Sequence, residues 1–136
     1  MNFARILLYQ IFFYPELEIL DLSLNKIFNI NFLEKVNLKE LKELYLNNNN
    51  ISDIKLLEKV QFDKLEILYL NWNKISDINV LEFINLKELK KLNLSYNEIS
   101  DIKVLEKVKF DKLEVLNLSR NKISDIDVLE FVNLKN

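Results

Sequence analysis

A segment of the form LxxLxLxxNxI recurs five times along this chain, beginning at Leu17, Leu41, Leu65, Leu89 and Leu113, with a constant step of 24 residues. A fixed period constrains the fold more than any local propensity, because every copy must take one conformation and stack on its neighbours. Counted from that first leucine, apolar residues fill positions 4, 6, 11, 14, 16, 17, 20 and 22 of every copy, and Asn fills position 9. Positions 4 and 6 alternate as in a half-buried strand. Positions 14, 16, 17 and 20 are spaced by three and four residues, which suits a short helical turn on the opposite side. Ser-Asp precedes that turn in four copies, as in Ser52 and Asp53 or Ser100 and Asp101, and both residue types make good N-caps. Each unit therefore reads as a strand, a corner, a helical turn and a return. No unit can bury its apolar face alone, so stacking makes one continuous core.

The five LxxLxLxxNxI segments resemble the leucine-rich-repeat family, and the resemblance covers essentially the whole chain. The continuation ISDIxxLE, as in Ile51 to Glu58, resembles the short-repeat subclass of a protein phosphatase regulator and of bacterial internalins. The resemblance implies an α/β solenoid with parallel strands on its concave face and short helical turns on its convex face. Parallel crossovers are right-handed in nearly all proteins, and so is the expected superhelix. The expected organisation is one domain over residues 1–136: a partial repeat at 1–16, then repeats at 17–40, 41–64, 65–88, 89–112 and 113–136. A weaker period of 48 residues overlies the first, since LEKVQFDK and LEKVKFDK at Leu57 and Leu105 alternate with LEFINLKE and LEFVNLKN at Leu81 and Leu129. Duplication accounts for it without any function.

Composition narrows the chemistry. With His 0 and Cys 0 the chain has no imidazole base, thiolate nucleophile or disulfide framework, and none of the usual zinc ligand sets. With Gly 0 it has neither a P-loop nor a dinucleotide-binding turn. No cofactor and no enzyme activity are expected. Lys+Arg 19 against Asp+Glu 21 gives a net charge of -2, which supplies no global attraction for nucleic acid.

Three columns of the repeat carry polar groups that bear on function. Asn25, Asn49, Asn73, Asn97 and Asn121 point inward by register and are expected to form a ladder, each amide bonding backbone groups of its own and the neighbouring repeat. Asp53, Asp77, Asp101 and Asp125, with Asn29 in the first repeat, are expected to cap the helical turns rather than to gather Ca²⁺. The Glu column at 34, 58, 82, 106 and 130 reads as a solvated face offset by Lys35, Lys59 and Lys107.

Positions 3, 5, 7, 8 and 10 point away from the core, so variation there is where a partner would be specified. Position 5 holds Asp21, Tyr45, Tyr69, Asn93 and Asn117, and position 8 holds Leu24, Asn48, Trp72, Tyr96 and Arg120. Ile19, Ile67 and Val115 add apolar surface from position 3. With strands about 4.8 Å apart, Tyr45 and Tyr69 are expected side by side, with Trp72 and Tyr96 along one margin. Tyr, Trp and Arg are the types enriched in interface hot spots. A partner-binding face of Ile19, Asp21, Tyr45, Ile67, Tyr69, Trp72, Tyr96 and Arg120 follows. Tyrosine also suits strands for structural reasons alone. The intervening Asn47, Asn71, Ser95 and Ser119 are uncharged, which favours a protein or peptide over single-stranded nucleic acid. The expected role is non-catalytic recognition. The subclass resemblance implies as alternatives a regulatory or targeting subunit of a protein phosphatase, or an internalin-like surface adhesin.

At the N-terminus, Phe3, Ile6, Leu8, Tyr9, Phe12 and Tyr14 match the core columns moved back by 24 residues. The register favours a half-repeat over a targeting segment, and the apolar run is too short to span a bilayer. No membrane association is expected. No polar capping module is legible after Leu113, so the expectation is a segment of a longer repeat protein, or ends that associate with another copy. A cytoplasmic location is expected, or a secreted or surface one if a signal lies upstream.

Overall fold

The structure, a computed structural model, describes residues 16 to 135. The half-repeat expected over 1–16 lies, apart from Glu16, outside the described residues. Five strands, β1 (Ile19–Asp21), β2 (Glu43–Tyr45), β3 (Ile67–Tyr69), β4 (Lys91–Asn93) and β5 (Val115–Asn117), form one parallel sheet in sequence order. Each strand pairs with the residue 24 later, Leu20 against Leu44, Leu44 against Leu68, and so on. The sequence period is therefore the sheet register. Each strand has only three residues, at positions 3 to 5. Backbone bonding continues past it, for example from Leu46 N–H to Tyr69 C=O at 2.8 Å and from Leu70 N–H to Asn93 C=O at 2.9 Å.

The helical turns on the far side are 3₁₀ throughout: Asn31–Lys35, Lys55–Lys59, Asn79–Phe83, Lys103–Glu106 and Asp127–Phe131. A segment of four or five residues is barely one turn, too short to form a run of α-type bonds, and tightens to i→i+3 pairing. Leu57 N–H thus donates to Ile54 C=O at 3.0 Å. The Asp column sits two residues before the first residue of each turn. Asp53 Oδ1 accepts from Lys55 N–H at 2.8 Å, and Asn29, Asp77, Asp101 and Asp125 accept likewise from the amide two residues on. The formal cap residue is the following Ile, which has no polar side chain to offer.

Between strands and turns lies one core running the length of the stack. It holds the leucines at positions 1, 4 and 6, the Ile columns at 11 and 14, and Phe62, Leu86 and Phe110 from position 22. The core columns loosen in the fifth repeat, where Leu116, Leu118, Ile123 and Leu129 are only half-buried and Ile126 is 62% exposed against 2% for Ile102. Among the described residues, no helix is long and apolar enough to cross a membrane.

Candidate functional site

The Asn column fixes how each strand gives way to its corner. Asn73 donates through Nδ2 to Leu46 C=O at 2.9 Å and to Leu70 C=O at 3.1 Å, and its Oδ1 accepts from Ile51 N–H at 2.9 Å. Asn97 and Asn121 repeat that pattern one and two repeats on. Asn49 does so with Leu22, Leu46 and Ile27. The Asn25 side chain bonds only Ser23 C=O among the described residues, while its backbone N–H donates to Asn49 Oδ1 at 3.1 Å. One side chain thus joins two repeats, with the polar atoms satisfied in a part-buried place where an unmet bond is costly.

Position 8 corrects the sequence reading. It lies beyond the three-residue strand: its backbone N–H still bonds the next repeat, as Trp72 N–H does Ser95 C=O at 3.0 Å, but the chain turns there. Leu24, Asn48, Trp72, Tyr96 and Arg120 have φ of 60°, 56°, 56°, 53° and 57°. This left-handed conformation is the natural place for glycine or asparagine, since a Cβ crowds the following carbonyl. A chain with Gly 0 and four larger residues at that corner conceals the turn. Missing from the sequence reading was the conformational meaning of Asn48, the one residue of the five that tolerates it well.

The concave surface carries two aromatic pairs. Tyr45 and Tyr69 meet edge to face, with centroids 5.3 Å apart and planes at 89°. Trp72 and Tyr96 stack with centroids 3.8 Å apart and planes 9° apart. Trp72 remains 51% exposed in that stack. Tyr45 and Tyr69 are half-buried, as is Ile67 two residues before Tyr69 on β3, while Ile19, Asp21 and Arg120 are exposed at the two ends of the sheet. The Tyr45 hydroxyl donates to Glu43 Oε2 at 2.6 Å, and that bond, with burial of the ring, pushes its pKa up to about 12. Tyr45 is therefore a neutral, oriented ring. The structure brings together the central residues of the expected face and leaves Ile19, Asp21 and Arg120 at its margins.

On the convex side, Glu34 and Glu82 face Lys59 at 3.8 Å and Lys107 at 3.5 Å across repeats. A shallow depression there gathers Asp101, Glu106, Asp125 and Asp127. Asp101 and Asp125 are engaged with their own turns. Among the described residues no three acidic side chains converge closely enough to hold a metal ion.

The repeat model for leucine-rich repeats matches residues 39–83, 63–107 and 87–136. The chain belongs to the leucine-rich-repeat family. A comparison with curated proteins gives no match. Among solved structures, internalin C2 from Listeria monocytogenes is similar with a TM-score of 0.77 and 28% identity, over 97% of this chain and 53% of that one. The functional domain of InlJ from Listeria monocytogenes, which includes a cysteine ladder, gives a TM-score of 0.59 at 20% identity, over 98% and 30%. The plant peptide hormone receptor RGFR1 in complex with RGF2 gives 0.51 at 23% identity, over 79% and 21%. The chain spans about half the length of internalin C2. The repeats are internalin-like, and proteins of this family are generally interaction modules.

Proposed function

We propose that this chain is a non-catalytic recognition module that binds another protein or peptide through its concave face. The observation that carries the reading is the coincidence of both aromatic pairs, Tyr45 with Tyr69 and Trp72 with Tyr96, in columns that the core does not require to be apolar. Similarity to internalin C2 supports a second reading, recognition at a cell surface in the manner of an internalin-like adhesin.

The test is affinity capture with the intact chain, repeated with two double variants. Tyr69→Ala with Trp72→Ala should weaken retention of the captured partner by about 2 kcal/mol or more if both are hot spots. The convex pair Glu82→Ala with Lys107→Ala should leave it unchanged. Loss of binding in the convex variant with the aromatic variant silent would assign the ligand to the other side. Trp72 is the only tryptophan, so its fluorescence reports occupancy directly, being open to acrylamide in the free chain and shielded in the complex.

A further inference from the structure

Charges on the rims of the concave face mix in sign along the stack, whereas those on the face itself are segregated. Position 2, before each strand, reads Glu18, Lys42, Glu66, Lys90 and Glu114, and Glu18 pairs with Lys42 and Glu66 with Lys90 across repeats. Position 10, past the corner, reads Lys26, Asn50, Lys74, Glu98 and Lys122, and Lys122 pairs with Glu98. Between these rims, positions 3, 5, 7 and 8 carry acids only in the first two repeats, Asp21 and Glu43, and bases only in the last two, Lys91 and Arg120. The third repeat carries no charge at those positions and supplies Ile67, Tyr69 and Trp72 instead. Among the described residues none of the four charges takes part in an ion pair.

Strand alternation puts Asp21, Glu43 and Lys91 on the side of Tyr45 and Tyr69, across the buried leucine of each strand. The Glu43 carboxylate is oriented by the Tyr45 hydroxyl at 2.6 Å, and that of Asp21 by the Ser23 N–H at 2.9 Å and hydroxyl at 2.6 Å. Arg120 continues the column of Trp72 and Tyr96 with the same backbone conformation, φ of 57° against 56° and 53°. An acidic end and a basic end therefore flank the two aromatic pairs. Like signs in neighbouring repeats forgo the pairing that the rims obtain, so this arrangement gains only when opposite charges are brought to it. With strands about 4.8 Å apart, Glu43 and Lys91 are separated by about 10 Å, and Asp21 and Arg120 by about 19 Å. An extended chain advancing about 3.3 Å per residue covers those distances in about three and six residues.

We infer that the concave face is polarised and takes an extended peptide segment laid across the strands. Its Lys or Arg lies over Asp21 and Glu43, its Asp or Glu lies three to six residues away over Lys91 and Arg120, and apolar or aromatic residues between them rest on the aromatic pairs. Complementary charge of this kind fixes register and excludes wrong partners. The inference rests on the concave-face reading and adds to it the charge order of the partner.

The test pans a random peptide library displayed on phage against the full chain at low salt, then titrates synthetic copies of the selected peptides calorimetrically. Four proteins are compared: the natural chain, the acid-neutralised Asp21→Asn with Glu43→Gln, the base-neutralised Lys91→Gln with Arg120→Gln, and the aromatic variant Tyr69→Ala with Trp72→Ala. Asn at position 5 beside Ser at position 7 already occurs in the fourth repeat, and Gln at 43 keeps an acceptor for the Tyr45 hydroxyl, so the acid-neutralised chain retains its local bonds. The expected peptides carry one basic and one acidic residue three to six positions apart, and bind each neutralised chain about threefold or more weakly, less so at high salt. Changing the peptide's basic residue to Gln should cost affinity for the natural and base-neutralised chains but not for the acid-neutralised one. Changing its acidic residue should give the mirror result. Costs that are equal on all three chains, selected peptides uncharged or of one sign, or a panning that enriches none overturn the polarity. Unweakened binding to both neutralised chains with loss in the aromatic variant also overturns it and leaves the concave-face reading standing. Unweakened binding to all three variants overturns both.

Discussion

At the residue scale, the repeat is organised by one carboxamide and one unfavourable corner. Replacing Asn73 by Leu keeps the volume roughly constant but removes bonds to Leu46 C=O, Leu70 C=O and Ile51 N–H. Its denaturation midpoint should fall by the equivalent of about 1 to 3 kcal/mol, the range for stranded buried polar groups, and an unchanged midpoint would remove the ladder from the account. The corner makes the opposite kind of prediction. Leu24 has φ of 60° and is 75% exposed, so its side chain gains little packing to offset its backbone. Leu24→Asn should stabilise the chain by about 1 kcal/mol, and Asn48→Leu should cost a similar amount, since only Asn and Gly enter this region readily. Denaturant titration of both variants checks the pair, and a shift of the same sign in both would contradict the explanation. The two features differ in legibility. Five identical asparagines announce their role at once, whereas a corner filled by Leu, Asn, Trp, Tyr and Arg shares no side-chain chemistry that would signal its conformation.

At the element scale, strands are joined by backbone bonds inside and by ion pairs outside. Position 2 reads Glu18, Lys42, Glu66, Lys90 and Glu114, and position 24 reads Glu40, Lys64, Glu88 and Lys112 before Asn136. Opposite charges one repeat apart pair as Lys42 with Glu18 at 2.8 Å, Lys90 with Glu66 at 2.7 Å and Lys112 with Glu88 at 2.6 Å. The alternation was present in the sequence but has meaning only once residues 24 apart are known to be neighbours. It also gives the 48-residue period a physical correlate, since the bonded pairs at position 2 join β1 to β2 and β3 to β4. The Lys90 ammonium holds the Glu66 carboxyl below its ordinary range, chiefly through their hydrogen bond. A depressed carboxyl contributes stability above its unfolded pKa and loses it as pH falls through the folded value. The midpoint difference between the natural chain and Lys90→Met should therefore be greatest at neutral pH and low salt, and shrink in acid and at high salt. Because both partners are substantially exposed the effect should be small, and a difference that grows in acid would refute the assignment. The turns were harder to specify than the strands: spacing by three and four predicts helical geometry, but segment length decides between 3₁₀ and α.

At the scale of the whole molecule, stability in such a stack is a sum of repeat terms and nearest-neighbour interfaces, so it need not be uniform along the chain. The burial pattern gives that statement a direction. Leu92, Leu94, Ile99 and Leu105 in the fourth repeat are buried, whereas Leu116, Leu118, Ile123 and Leu129 at the same positions of the fifth are only half-buried. Asn121 still ties the fifth repeat back to Leu94 C=O and Ile99 N–H, and Tyr96 N–H reaches Ser119 C=O at 2.9 Å. The strand of the fifth repeat is thus held by backbone bonds, while its strand leucines and its convex turn alike have lost part of their apolar cover. Native-state hydrogen exchange should resolve this difference. The amides of Leu46 and Leu70, bonded to Tyr69 and Asn93 in the interior of the stack, should exchange only by global unfolding. Those of Leu129 and Val132, bonded within the last 3₁₀ turn to Ile126 and Leu129, should exchange through a cheaper local opening, with a weaker dependence on denaturant. Amides of the middle turns, such as Leu57 and Leu81, should lie nearer the interior strands than the last turn. Equal protection and equal denaturant dependence across all of these would mean that the chain unfolds as one cooperative unit, and that the partial exposure of the fifth repeat carries no energetic consequence.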